Sequence, residues 1–195
     1  VGYYTRLERG HIGGASESVL SSIARVLQLN DVERQYLFDL ARAATSSSHE
    51  RFQKKHASTR VNSSTQRVLD SMSIPAVIWN AQQDVIAANV MGRALYRQQF
   101  EAEHPNFSRF IFLDPRAEDY YVELPLIRRY NAAMLRREAG RDPLNEEVTA
   151  LIGELSTLSP EFRQAWAERD VHEHKCGTKI YNHPDVGVVE LEYNV

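Results

Sequence analysis

The chain has 195 residues, a net charge of −3 at pH 7 and 43% hydrophobic side chains. That suffices for a globular core in one or two domains and provides no global positive field for nucleic acid, so any DNA contact must come from a local basic patch. The single cysteine, Cys176, excludes an intrachain disulfide framework and suits a reducing cytoplasm; no apolar run approaches a membrane span, and no signal-peptide pattern opens the chain.

In chain order, Tyr3 to Arg9 is the first element. Tyr4, Leu7 and Tyr3 fit one apolar side of a short helix, while Thr5, Arg6 and Arg9 fall mostly elsewhere. Gly10 ends it in the usual position after a helix. The segment resembles the recognition helix of a helix-turn-helix domain, whose short polar side chains reach base edges in the major groove. Tyr3, Thr5, Arg6 and Arg9 are the expected base or phosphate contacts. Gly13-Gly14 reads as loop. Ser16 is the expected N-cap of a second helix, with Leu20, Ile23, Ala24 and Leu27 at helical spacing. Asn30 with Glu33 three residues on is a capping box for a third, which carries Tyr36, Leu37, Leu40 and Ala41. These helices make an all-α unit over 1–44.

Residues 45–63 are polar, Ser-rich and nearly free of groups to bury, which predicts a linker. A second domain is expected over 64–195. Val68, Leu69 and Met72 suggest a short helix. Ala76–Asn80 and Val85–Asn89 read as a β-hairpin, and Asn89 opens a further helix. Asp114-Pro115, Asp142-Pro143 and Ser159-Pro160 each predict a helix start with proline in the first turn. Ile127, Tyr130 and Met134, with Leu135 beside them, form a stripe on a helix of several turns. Thr178–Asn182 and Val188–Val195 read as two strands joined by His183-Pro-Asp-Val-Gly187. The ends look cut: Val1 lies inside an expected helix start, and the alternation of Val189, Leu191, Tyr193 and Val195 runs to the last residue.

Few residues suggest chemistry. His172, His174 and Cys176 share one face of a strand, but the outer two would stand roughly 13 Å apart, too far for one ion. No metal or cofactor is expected. Turn chemistry accounts for His183-Pro184-Asp185. No nucleophile elbow or Gly-rich phosphate loop is present, so an enzyme is the minority reading.

The ordered set Phe110–Pro115, Ala133–Arg136, Leu151–Ser156, Ser159–Arg163 with Trp166, Gly177-Thr-Lys179 and His183-Pro184 is similar to the ligand-binding domain of MmyB-type bacterial transcription regulators. Tyr3–Gly10, Ser16–Leu27 and Asp31–Ala41 are similar to the last helices of Cro-like repressor domains of the XRE family. The strand-turn-strand-Asn-helix order resembles the opening of a PAS sensor. The resemblance implies an α+β protein: a truncated all-α helix-turn-helix module followed by a PAS-like antiparallel sheet with flanking helices. It further implies a cytoplasmic, dimeric regulator that binds a DNA operator and senses a small, largely apolar ligand, fatty-acid-like molecules included. Trp79, Phe107, Phe110, Phe112, Tyr130, Met134 and Phe162 are the expected ligand contacts, though each singly reads as core. Arg109, Arg128 and Arg163 are candidate anchors for a carboxylate, and singly read as surface or ion-pair residues. The rival expectation is a small-molecule-binding or catalytic domain whose N-terminal helices serve dimerisation.

Overall fold

The computed structural model describes residues 16–45, 61–168 and 176–194. Helix α1 (Glu17–Val26) and helix α2 (Asp31–Thr45) come first. The predicted capping box is present: Asn30 N–H donates to Glu33 Oε2 at 2.8 Å, and Glu33 N–H donates to Asn30 Oδ1 at 2.9 Å. Two orphan donors at the start of α2 are thereby satisfied within four residues of chain. Ser16 stands at the N-cap of α1 but caps no backbone N–H; its hydroxyl lies 2.8 Å from Ser18 Oγ. Leu20 and Ala24 are buried as their spacing predicts, whereas Leu27 is 59% exposed. Leu27 is the C-cap, and Gln28 at φ 54° turns the chain away before Leu27 can join the helical stripe.

Helix α3 (Ser63–Ser71) is capped by Asn62, whose side chain accepts from Thr65 N–H. Strands β1 (Val77–Trp79) and β2 (Val85–Ala88) pair antiparallel, with an irregularity between Ile78 and Trp79. Asn89 then caps helix α4 (Val90–Leu95), accepting from Gly92 N–H at 2.7 Å. Its amide does more than cap. Oδ1 also accepts from Ala76 N–H, and Nδ2 donates to the carbonyls of Leu69, Met72 and Ile74. One buried side chain thus ties α3, its exit loop, the hairpin and α4 together. Gly92 permits the close approach, since a Cβ there would lie 2.5 Å from Ala76 O.

Helix α5 (Phe107–Leu113) starts at Asn106, which accepts from Arg109 N–H at 2.9 Å and donates to Asp84 Oδ1 and Gln82 O. Val85 N–H donates to Pro105 O, so this loop closes the outer edge of β2. Helix α6 (Arg116–Tyr120) follows Asp114-Pro115, and Asp114 Oδ1 accepts from Arg116 N–H as the start device predicts. Helix α7 (Leu124–Arg141) is the longest described. Helix α8 (Glu146–Leu158) departs from the expected Asp142-Pro143 start. Asp142 is instead the C-cap of α7, and Asn145 caps α8 by accepting from Val148 N–H at 3.0 Å. A residue before proline is held out of the helical region, so Asp142 ends one helix, while Asn145 with Glu146 and Glu147 behind it begins the next. Helix α9 (Pro160–Ala167) has the predicted Ser159 cap, with Phe162 N–H donating to Ser159 Oγ at 3.0 Å.

Strands β3 (Cys176–His183) and β4 (Gly187–Asn194) form a hairpin in register from Cys176↔Asn194 to His183↔Gly187. The architecture is α+β. The antiparallel pairing is as expected, and the described strands form two separate two-stranded hairpins. The loop at Asn106 occupies the edge of β2, and β3 instead meets the residue after α6 through a single bridge, Tyr121↔Tyr181.

The core lies between α5–α9 and β3 and is filled by Phe110, Tyr120, Tyr121, Leu135, Leu151, Leu155, Phe162 and Tyr181. Aromatic edges meet faces throughout: Phe112 stands 5.0 Å from Phe162 and Tyr120 stands 4.9 Å from Tyr121, centroid to centroid. Helix α2 packs on the C-terminal half of α7, where a Cβ on Gly140 would fall 2.3 Å from Tyr36 Cε2.

Candidate functional site

A cleft of about 60 Å3 opens between the β1–β2 hairpin, α5, α7 and β3. Four of its wall residues, Ile127, Tyr130, Asn131 and Met134, sit at i, i+3, i+4 and i+7 of α7, one face of a helix. Phe107 and Ile111 are one turn apart on α5 and form the facing wall. Trp79 comes from β1, and Tyr96 follows α4. Their rings pack edge-on against Phe107, with centroids at 5.6 Å and 4.9 Å.

The polar groups at the cleft are few. Asn131 is buried and accepts from Ser108 Oγ at 2.8 Å, a bond that fixes α5 against α7. Gln83 sits at φ 68° in the tight hairpin turn, its N–H on Asn80 O and its carbonyl accepting from Phe107 N–H. Tyr121 OH accepts from Gln99 Nε2 at 3.3 Å, and burial pushes its pKa well up, so it stays neutral. The Tyr96 and Tyr181 hydroxyls are 3.2 Å apart, and burial raises both.

Lys179 is the one cation on the cleft wall among the described residues. It lies on β3 in phase with Tyr181 and His183, the strand's inward residues, and is half-buried. Its Nζ stands 4.3 Å from the centroid of the Tyr193 ring across the hairpin. Burial lowers its pKa from the ordinary lysine value to about 8.

Of the ligand contacts expected from sequence, Trp79, Phe107, Tyr130 and Met134 reach the cleft. Phe110, Phe112 and Phe162 are placed in the core: Phe110 against Tyr120 and Tyr121, Phe112 against Phe162, and Phe162 stacked on Trp166 at 5.4 Å. Helix α5 is buried nearly all round, so only one of its faces can line a cleft while the others pack. The three arginines weighed as anchors are engaged elsewhere. Arg109 makes a two-pronged pair with Glu154 at 2.9 and 2.8 Å. Arg128 donates to Ile111 O and lies 3.7 Å from Glu118, and Arg163 donates to Ser156 O. Tyr3, Thr5, Arg6, Arg9, His172 and His174 lie outside the described residues. His183 Nδ1 accepts from Asp185 N–H, its Nε2 lies 2.9 Å from Ala94 O, and Asp185 pairs with Arg97, so this segment is a fastened turn.

Sequence reading did not single out Lys179, Asn131, Gln83, Tyr96, Tyr121, Ile111 or Ile127 as ligand contacts. For Ile127 and Asn131 the signal is the helical spacing around Tyr130 and Met134. For Lys179 it is a charged residue in phase with Tyr181 on a strand whose alternate positions turn inward.

Among the described residues no group of three or more His, Cys, Asp or Glu is placed to hold a metal, and no helix is long and apolar enough to cross a membrane. Comparison with curated proteins finds no match. The family model described as the MmyB-like transcription regulator ligand binding domain matches residues 61–195, a span that contains every residue of the cleft. By that match the chain belongs to the MmyB-like transcription regulator ligand-binding domain family.

Proposed function

We propose that this protein is a DNA-binding transcription regulator in which residues 1–44 belong to a helix-turn-helix module, residues 45–63 link, and residues 64–195 sense a small, largely apolar molecule. The observation that carries this reading is the cleft. In a chain of a regulator ligand-binding family, one face of α7 and one face of α5 enclose an apolar space with a few fixed polar groups. Occupying it requires no covalent chemistry. A ligand that binds two arrangements of the regulator unequally shifts their populations, and with them the operator affinity of a homodimer in the cytoplasm. Tyr3, Thr5, Arg6 and Arg9 are the proposed DNA contacts.

The size of the cleft bears on the ligand. An apolar cavity of roughly 150 Å3 holds benzene. At about 60 Å3 the cleft is less than half that size and, as it stands, holds less than a benzene ring. A long chain enters only if Met134 and its neighbours move, which a flexible thioether allows.

The test has two arms. A library of short and long apolar compounds is screened by thermal shift on this chain; saturation at a hundred times Kd stabilises by about 2.7 kcal/mol. Met134→Trp, which fills the cleft, abolishes the shift, while Arg51→Ala leaves it unchanged. No shift from any compound removes the sensing reading. In the full-length protein, Arg6→Ala weakens operator binding by about 1–3 kcal/mol if Arg6 meets a base, or lowers the salt dependence if it meets phosphate. Unchanged affinity and salt slope remove Arg6 from the DNA interface.

A further inference from the structure

We infer that α7 couples the cleft to the N-terminal helices: a molecule that enters the cleft swings the C-terminal half of α7 against Tyr36 and releases α2, with α1 on it, from its seat. The inference rests on the reading of the cleft as a ligand site and adds the route by which its occupancy reaches the rest of the chain.

Three observations carry it. First, one helix serves both places. Ile127, Tyr130, Asn131 and Met134 of α7 line the cleft, and Gly140 near its C-terminal end bears on the Tyr36 ring of α2. At 3.6 residues per turn, Gly140 stands roughly 180° around the helix from Asn131 and about 120° from Met134. The cleft is thus in front of α7 and α2 is behind it, so a push from the cleft is a push toward Tyr36. Second, α7 is pinned in its first half. Arg128 Nε donates to Ile111 O at 3.3 Å, and Ser108 Oγ donates to Asn131 Oδ1 at 2.8 Å, which fastens this half to α5. Beyond Asn131, Arg136 reaches the Trp166 carbonyl through a long side chain that can follow a shift. Asn131 is therefore the pivot, and the stretch from Met134 to Gly140 is the arm. Third, the contact at Tyr36 has no slack. A Cβ on Gly140 would overlap the ring, so the ring lies directly on the backbone of α7. Close-packed groups pass strain on instead of absorbing it.

The cleft cannot fill without such a movement. Its space is less than half of what benzene occupies. The β1–β2 wall is fastened through Asn106 on Asp84 and Gln82 and through Val85 N–H on Pro105 O. Phe107 and Ile111 belong to a helix buried nearly all round. Room for a larger body comes from the arm of α7. Helices α8 and α9 hold α7 and each other, whereas the elements on which α2 packs substantially, among the described residues, are α1 and α7. Helix α2 is the neighbour that gives way. Coupling of this kind is reciprocal: if occupancy loosens the seat of α2, loosening the seat favours occupancy by the same factor.

The test follows hydrogen exchange of the whole chain with and without saturating toluene or octan-1-ol, two neutral apolar probes. Calorimetry measures their binding to the native chain, Tyr36→Ala and Tyr36→Phe. The expected result is exchange at least about fivefold faster in α2 on saturation, with slower exchange in α5. Tyr36→Ala is expected to bind the probes at least about fivefold more tightly, although residue 36 lies outside the cleft, and Tyr36→Phe, which keeps the ring, to bind like the native chain. The exchange measurement needs no variant, so it decides the matter if Tyr36→Ala fails to fold. Probe binding with exchange in α2 unchanged or slowed overturns the coupling and leaves the cleft standing as a ligand site. Faster exchange in α2, with affinity unaltered by Tyr36→Ala, overturns the route through Tyr36. No binding of either probe overturns the cleft reading and the coupling with it.

Discussion

The helices before residue 46 and the segment from residue 61 onward are held by different means. In the latter, Leu135, Leu155 and Phe162 are fully buried, and ring contacts run without a break from Trp79 through Phe107, Tyr96 and Tyr181 to Tyr120 and Phe110. In α1 and α2 the buried groups among the described residues include Leu20, Ala24 and Ala41, while Val26 at 69% and Leu27 at 59% face solvent. What places this pair is a neighbour: α2 lies on α7, with Tyr36 against the bare backbone of Gly140. Among the described residues, α7 is the surface on which this pair of helices docks. That surface is the far end of the helix whose other half walls the cleft.

Substitutions test this difference, from the largest expected effect to the smallest. Phe162→Ala removes a fully buried ring from the junction of α5, α7 and α9, and is expected to cost about 3–5 kcal/mol by urea denaturation. A cost below about 1 kcal/mol would mean that the core is looser than its packing implies. Asn89→Ala strips the partner from three carbonyls and two N–H groups that join α3, the hairpin and α4. Water reaches some of these groups, so the expected loss is about 2–3 kcal/mol, with hydrogen exchange rising first around Leu69 to Gly92.

Gly140→Ala decides the comparison by its sign. In a free helix the change gains about 0.5–1 kcal/mol. Against Tyr36 the new Cβ has no room, and the expected outcome is a loss of about 1–3 kcal/mol with faster exchange in α2 and unchanged protection in α5 and α9. A net stabilisation would show that α2 does not rest on α7 in solution. Asn30→Ala is the mildest: it removes half of the capping box at a cost of about 1 kcal/mol, read as fraying of the first turn of α2 by exchange, with the cleft and its ligand response unaltered.

Much of the local structure was legible because local structure is decided over a few residues. The Asn30–Glu33 box, the Asn89 cap, the Ser159-Pro160 start and the two hairpins each rest on groups within about five positions in the chain. The face of α7 was legible too, since Ile127, Tyr130 and Met134 repeat at the helical period. Asp142-Pro143 misled because two start signals compete within four residues. Proline ended the earlier helix there, and Asn145 opened the next.

The site was less legible. Phe110, Phe112 and Phe162 look as apt for a ligand as Phe107 does; only the positions of α6, α7 and α9 decide that the first three meet one another while Phe107 meets Trp79 and Tyr96. The same holds for charge. Arg109 and Arg128 are drawn off by Glu154 and Glu118, distant in sequence or on another helix, and Lys179 is left facing the cleft because no acid from any described element comes near it. The sequence by itself determined the helix starts at Asn30, Asn89 and Ser159, the hairpins, the helical face of α7 and the family, because these depend on neighbours in the chain or on ordered motifs. Only the tertiary structure decided which aromatic rings are core and which cation faces the cleft with no acid beside it among the described residues. Both are properties of the space between elements, and that space exists only once the elements have packed.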